Sequence, residues 1–302
     1  MLRFVRACCR FLLFCAIANA QTLPPQTVDT LRGTGGLTEY LAGDLPLILG
    51  VPHGGRIEPP GMPDRISVTG SRYDTSSLEL ACAIREAFRR MTGKTPHLIQ
   101  LLVHRKKVDA NRDPLEGTQG DSLATRVWDD FHEFVKRAKK KVVEQFGRGL
   151  YVDLHGHQHP HERLELGYLL VDPQLALPDD SLDQRGLHCK SSIRAMVEEG
   201  PYPLSALVRG QVSLGSMYDV EGYEAVPSPR FPGPRGEPYF SGEYNIERHG
   251  SRDGGSVSAI QLETPLKGVR DTEAHRRAFA EATVRVFLRY LDEHFHSGGG
   301  PQ

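Results

Sequence analysis

Five short apolar runs constrain this chain more than any other feature: residues 47–51, 97–103, 150–154, 168–171 and 257–262. Runs of this length with few polar interruptions suit strands buried on both faces, as in a sheet covered by helices. The segments between them supply the helices. Residues 78–91 carry Leu78, Ala81, Ile84, Phe88 and Met91 at helical spacing, with Ser76 and Ser77 as cap candidates. Residues 123–146 bring Val127, Phe131, Phe134, Val135, Ala138 and Val142 near one stripe, which leaves the basic run 136–141 as a solvated face. A last helix is expected from Thr272 to about His294, and the proline- and glycine-rich stretch 226–242 as a loop. The expected class is α/β, with a mixed, mostly parallel sheet flanked by helices in three layers. Ligands of such sheets bind at the carboxyl ends of the strands.

Those ends carry the chemistry. The first run leads into Pro52-His53-Gly54-Gly55, and the second is followed by Val108-Asp109-Ala110-Asn111-Arg112-Asp113. The third ends in Asp153-Leu154-His155-Gly156-His157, and the fifth in Gln261-Leu262-Glu263. Burying a polar side chain costs several kcal/mol unless it is paired or ligated. One such histidine is ordinary, but polar groups at several strand ends of one sheet point to a convergent site. A catalytic zinc takes three protein ligands of His and carboxylate type and keeps one position open. His53 and His155 are the imidazole candidates. Asp74, just ahead of the first helix, is favoured as the third ligand, and Glu58 is its rival. Asp153 shares a strand face with His155 and is placed to orient it. His157 and His249 are further hydrogen-bonding candidates, each with an ordinary structural role as the alternative.

Amide hydrolysis assisted by a metal needs a group that takes a proton from water and gives one to the leaving nitrogen. Glu263 is the candidate. Asn111 and Arg112 form a fork suited to a substrate carboxylate, and Arg248 is a second cationic candidate.

The chain has 37 Lys+Arg against 38 Asp+Glu, a net charge of -1, which gives no electrostatic ground for binding nucleic acid. Its start reads as a cleavable export signal: Arg3, Arg6 and Arg10, an apolar run at 11–18, then Ala18-Asn19-Ala20. The expected layout is a signal peptide at 1–20, an extended lead-in at 21–36, one hydrolytic domain at 37–296 and a disordered tail at 297–302. The mature chain would be secreted, with no membrane contact. Cys82 and Cys189 would remain, paired or free.

The motifs Pro52-His53-Gly54-Gly55, Val108-Asp109-Ala110-Asn111-Arg112, Asp153-Leu154-His155, Arg248-His249-Gly250 and Gln261-Leu262-Glu263 occur in one order over about residues 45–290. In this order and spacing the chain resembles the N-formylglutamate amidohydrolase family, which is similar in fold to the zinc carboxypeptidases. The resemblance implies a zinc-exopeptidase-like three-layer architecture. It implies one zinc per chain on His53, Asp74 and His155, with Glu263 as general base and Asn111 and Arg112 holding the substrate carboxylate. The chain departs from the family at Tyr73-Asp74-Thr75-Ser76, which lacks a second acidic residue, and at His155-Gly156-His157, where a His-Ser turn is usual. The expected function is a zinc-dependent hydrolase cleaving an amide next to a carboxylate, on a small anionic substrate of the N-acyl amino acid type. The alternatives are a secreted carboxypeptidase-like peptidase acting on a peptide C-terminus, and an inactive binding protein of the same fold.

Overall fold

A computed structural model describes residues 29–66, 70–184 and 186–295. The leader expected at 1–20, residues 21–28 of the lead-in and the tail 297–302 lie outside them. Among the described residues eight strands form one sheet. They are β1 (Thr30–Arg32), β2 (Thr38–Leu41), β3 (Leu47–Val51), β4 (His97–Leu101), β5 (Gly149–His157), β6 (Leu164–Gly167), β7 (Ala225–Val226) and β8 (Val257–Pro265). Their order is β1-β2-β4-β3-β5-β8-β6-β7. The centre, β4-β3-β5-β8, is parallel. β2 joins β4 antiparallel at one edge, and β6 joins β8 antiparallel at the other.

The helices are α1 (Ser77–Thr92), α2 (Pro114–Thr118), α3 (Ser122–Phe146), α4 (Asp172–Leu175), α5 (Asp179–Gln184), α6 (Arg194–Glu199), α7 (Leu204–Arg209), α8 (Leu214–Val220), α9 (Tyr244–His249) and α10 (Glu273–Phe295). Alternation along the central strands divides the core. Leu47, Leu49, Val51, Val152, Leu154 and Leu262 pack with α1 and α10. Ile48, Ile99, Tyr151 and Ala259 turn the other way, onto Val127, Phe131, Val135 and Val142 of α3. The result is the expected three-layer α/β arrangement, with each fully buried Leu, Ile or Phe contributing about 1.5–3 kcal/mol.

Helix ends follow local chemistry. Asp121 caps α3 by accepting from the amides of Leu123 and Ala124. α1 starts differently from the serine cap expected. Ser76 is left-handed (φ 61) and its side chain makes no cap bond, while Ser77 Oγ donates to the Asp74 carbonyl at 3.0 Å. The start of α1 is thereby tied to Asp74.

Three expectations shift. The fourth apolar run is not the strand: β6 lies at Leu164–Gly167, and the chain turns at Leu169, whose φ is 63°. The folded body begins ahead of residue 37, because β1 pairs with β2. The short helices α4 to α8 were not anticipated. Cys82 and Cys189 are both free. Among the described residues no helix is long and apolar enough to cross a membrane.

Candidate active site

The parallel centre of the sheet brings four chain segments to one edge. β3 runs into His53, the loop after β4 carries Arg105 to Arg112, β5 ends in Asp153 and His155, and β8 ends in Gln261 and Glu263. In the β5–β8 register Asp153 faces Gln261 and His155 faces Glu263. Asp74 arrives from the loop before α1, where its amide donates to the His53 carbonyl at 2.8 Å. His53, Asp74 and His155 each offer a ligand atom within 4.8 Å of the others, and all three are buried.

Both imidazoles are held the same way. His53 Nε2 donates to Asp109 Oδ1 at 2.6 Å, and His155 Nε2 donates to Asp153 Oδ2 at 2.7 Å. That holds each Nε2 against its carboxylate and turns both Nδ1 atoms inward, toward Asp74. Nδ1 of His155 lies 3.3 Å from Asp74 Oδ2, and Nδ1 of His53 lies 3.8 Å from the same oxygen. Nδ1 of His53 is buried and has no hydrogen-bond partner. A buried acceptor without a partner is costly. Two imidazoles backed by carboxylates and joined by a third carboxylate make a donor set that fits a divalent metal such as zinc.

The backing carboxylates are themselves saturated. Asp109 Oδ1 also accepts the Asn111 amide at 2.9 Å, while Oδ2 takes Arg105 Nε at 2.9 Å and Arg65 Nη2 at 3.3 Å. Asp153 Oδ1 takes the Tyr151 hydroxyl at 2.7 Å and Asn245 Nδ2 at 3.1 Å. Arg270, almost fully buried, donates to the carbonyls of Thr75, His157 and Thr264 and so ties the Asp74 loop to the ends of β5 and β8. Gly156 makes room for it: a Cβ there would lie 2.1 Å from Arg270 Cζ. The Gly156 amide donates to Asp74 Oδ2 at 3.0 Å. This accounts for the glycine in His155-Gly156-His157.

Glu263 is 4% exposed, and Gln261 Nε2 donates to its Oε1 at 3.0 Å. Burial, reinforced by Asp74, Glu165 and Glu243 and opposed by His155, pushes its carboxyl up to about 8. Burial lowers the proton affinity of His53, and Arg105 adds to the effect. Burial works against charge on His155 too, but Asp153 and Asp74 overcome it and hold that imidazole well above 6.5.

These groups line one cavity of about 770 Å³, with Arg72, Arg105, Glu243 and Phe240 on its walls. Asn111 and Arg112 form a fork beside the cavity without lining it: both bond Glu243, whose side chain does line it. Arg248 is outside the cavity: its guanidinium rests over Trp128 and Tyr244 and donates to the Tyr244 hydroxyl at 2.9 Å. His249 is buried against His132, 2.8 Å away, and does not line the cavity either. Glu58 pairs with Lys106 at 2.7 Å. His157 spends both ring nitrogens on the turn after β5, bonding the Arg163 carbonyl and the His159 amide. Sequence reasoning missed Glu243, Arg105 and the bond from Asp109 to His53. Arg105 follows β4 as His53 follows β3, so the strand-end rule could have found it. No local pattern marks Glu243.

No family model and no curated protein sequence matches the chain. Solved structures do. A gene product of Agrobacterium tumefaciens superposes with a TM-score of 0.51 at 14% identity, covering 85% of this chain and 95% of that one. An N-formylglutamate amidohydrolase from Ralstonia eutropha gives 0.49 at 14% identity, covering 84% and 95%. A succinylglutamate desuccinylase from Chromobacterium violaceum gives 0.35 at 14% identity, covering 92% and 76%. At such identities the likeness is one of fold.

Proposed function

We propose that this chain is a metal-dependent hydrolase that cleaves an amide next to a carboxylate, on substrates of the N-acyl amino acid type. The observation that carries the reading is the inward-facing pair of Nδ1 atoms on His53 and His155, one of them buried without a partner, beside Asp74. These three residues would hold one zinc. When bound, the metal supplies Lewis acidity, polarising a carbonyl and making a water easier to deprotonate.

The protein's own groups do the rest. Glu263 takes the proton of the attacking water on its carboxylate and returns it to the leaving nitrogen. Its burial supports this, because a desolvated carboxylate holds a proton more readily than an exposed one. Arg105 and Arg72 give the cavity a cationic wall suited to an anionic substrate. Asn111 and Arg112 are the fork for its carboxylate. A cavity of about 770 Å³ has room for a substrate of amino acid size. Export rests on residues 1–20 and is tested by N-terminal sequencing of the chain recovered from the medium.

The test of the function is metal content of the purified chain together with hydrolysis of a panel of N-acyl amino acids and dipeptides. One metal per chain with cleavage of a carboxylate-bearing amide is expected. A metal-loaded chain that binds the panel without cleaving any member would replace the hydrolase with a binding protein of the same fold.

A further inference from the structure

The fork is already engaged. Arg112 Nη1 donates to Glu243 Oε2, Arg112 Nη2 donates to Oε1 at 3.2 Å, and Asn111 Nδ2 donates to Oε2 at 3.0 Å. This two-pronged arrangement is how a guanidinium and an amide take a ligand carboxylate. Glu243 sits at the end of the proline- and glycine-rich loop, immediately before α9, and is anchored from behind. Its amide donates to Gln261 Oε1 at 3.0 Å, and the Asn245 amide donates to Asn111 Oδ1 at 2.9 Å. The side chain nevertheless remains 27% exposed and lines the same cavity as Glu263.

A carboxylate tethered this close competes as an intramolecular ligand, with an effective concentration in the millimolar range or above. A free acid must therefore displace it. Displacement would leave Glu243 without its cationic partner in a cavity that already holds the carboxyl of Glu263. Removing the partner of a partly buried charge is costly. A substrate with an uncharged carboxamide in that place leaves the Arg112–Glu243 pair intact, and its N–H can donate to the remaining lone pairs of Glu243.

We propose that Glu243 is a specificity-determining residue: its carboxylate occupies the Asn111–Arg112 fork, competes with the carboxylate of an incoming substrate, and so sets how weakly that carboxylate is held relative to an uncharged group in its place. This rests on the reading of the cavity as a hydrolase site, and it narrows the substrate class of that site.

The probe is succinate, titrated calorimetrically into the zinc-loaded parent chain and into Glu243→Ala. The variant is expected to bind succinate about tenfold more tightly or better, because the fork is emptied. Glu243→Gln keeps length and hydrogen bonding, serves if the alanine variant fails to fold, and is expected to show a smaller gain. A second readout is the ratio of kcat/KM for an N-acetyl amino acid to that for its carboxamide. In Glu243→Ala this ratio should rise by about an order of magnitude, carried by KM. Succinate affinity and ratio both unchanged in the variants would overturn the proposal. If the parent hydrolyses neither substrate, the hydrolase reading fails, while the succinate titration still decides the role of Glu243.

Discussion

Glu263 stands directly opposite His155 across the parallel β5–β8 pair, and on its other side it stands opposite Glu165 across the antiparallel β6–β8 pair. Where the sheet changes from parallel to antiparallel, one acid is thus placed between a metal-ligand candidate and a second buried acid. The first neighbour stabilises its charge and the second opposes it.

For Glu263→Gln, we expect kcat to fall by about 10²–10⁴ while metal content and fold are retained, since the amide cannot accept a proton from water. Metal analysis and steady-state kinetics on the same preparation check this. A variant with the parent turnover would assign the proton transfer to another group.

Asp153→Asn should weaken metal binding by about 10- to 100-fold. Asp153 holds the Nε2 proton of His155 and thereby presents Nδ1 to the cluster. An amide in its place accepts less strongly and lets the ring turn. Competition with a chelator of known affinity reads the change. Unaltered affinity would make Asp153 a purely structural partner of Tyr151 and Asn245.

His97 gives a pH-dependent stability far from the cavity. Its Nδ1 accepts from the Gly43 amide at 3.0 Å and lies 2.9 Å from the Tyr40 hydroxyl, while Nε2 has no partner. Burial pulls its pKa down to about 4, with Lys141 adding to the effect. Above pH ~6.5 the ring is neutral whether the chain is folded or unfolded, so it has no effect on stability. Between about 6.5 and 4 the unfolded chain binds a proton that the folded chain refuses. Stability therefore falls as pH is lowered through that window, by about 3 kcal/mol in total, and levels off below it. Urea unfolding of the parent and His97→Gln at pH 7, 5.5 and 4 should show a shallower decline in the variant. Parallel declines would remove His97 as a source.

Gly50 keeps the Asp153 arrangement possible. A Cβ at this position would lie 2.2 Å from the Tyr151 hydroxyl, which donates to Asp153. Gly50→Ala should cost about 1–3 kcal/mol through overpacking. Tyr151→Phe removes the clashing oxygen, so the double variant should lose less than the sum of the two singles. Additive losses in a denaturation cycle would show that the two positions are uncoupled.

Much of this was legible in the chain itself. Long apolar runs such as 47–51 and 150–154 announce buried parallel strands, because nothing else explains so few polar residues in sequence. The polar residues at their ends then stand out, as His53, Asp153 and His155 did. The antiparallel strands carry no such signal: β1 is three residues long with none buried, β2 alternates buried with half-buried positions, and β6 contains Glu165. The helices between residues 172 and 220 are four to seven residues long, too brief for a periodicity to repeat. Arg248 looked cationic and well placed beside His249. Its distance from the cavity follows from α9, whose exposed face carries it onto Trp128. Glu243 was illegible because its partner Arg112 is 131 residues away, and only the loop's path brings them together.

Asp109 has a consequence for how the site keeps its dimensions. One of its oxygens takes both the His53 ring and the Asn111 amide, while the other is gripped by Arg65 and Arg105. His53 and the start of the fork are therefore measured from a common origin. A shift of Asp109 would carry both, so one carboxylate sets the spacing between them. The carboxylate acts as a ruler, and the distance it keeps is the length against which any molecule spanning the metal-ligand cluster and the fork is gauged.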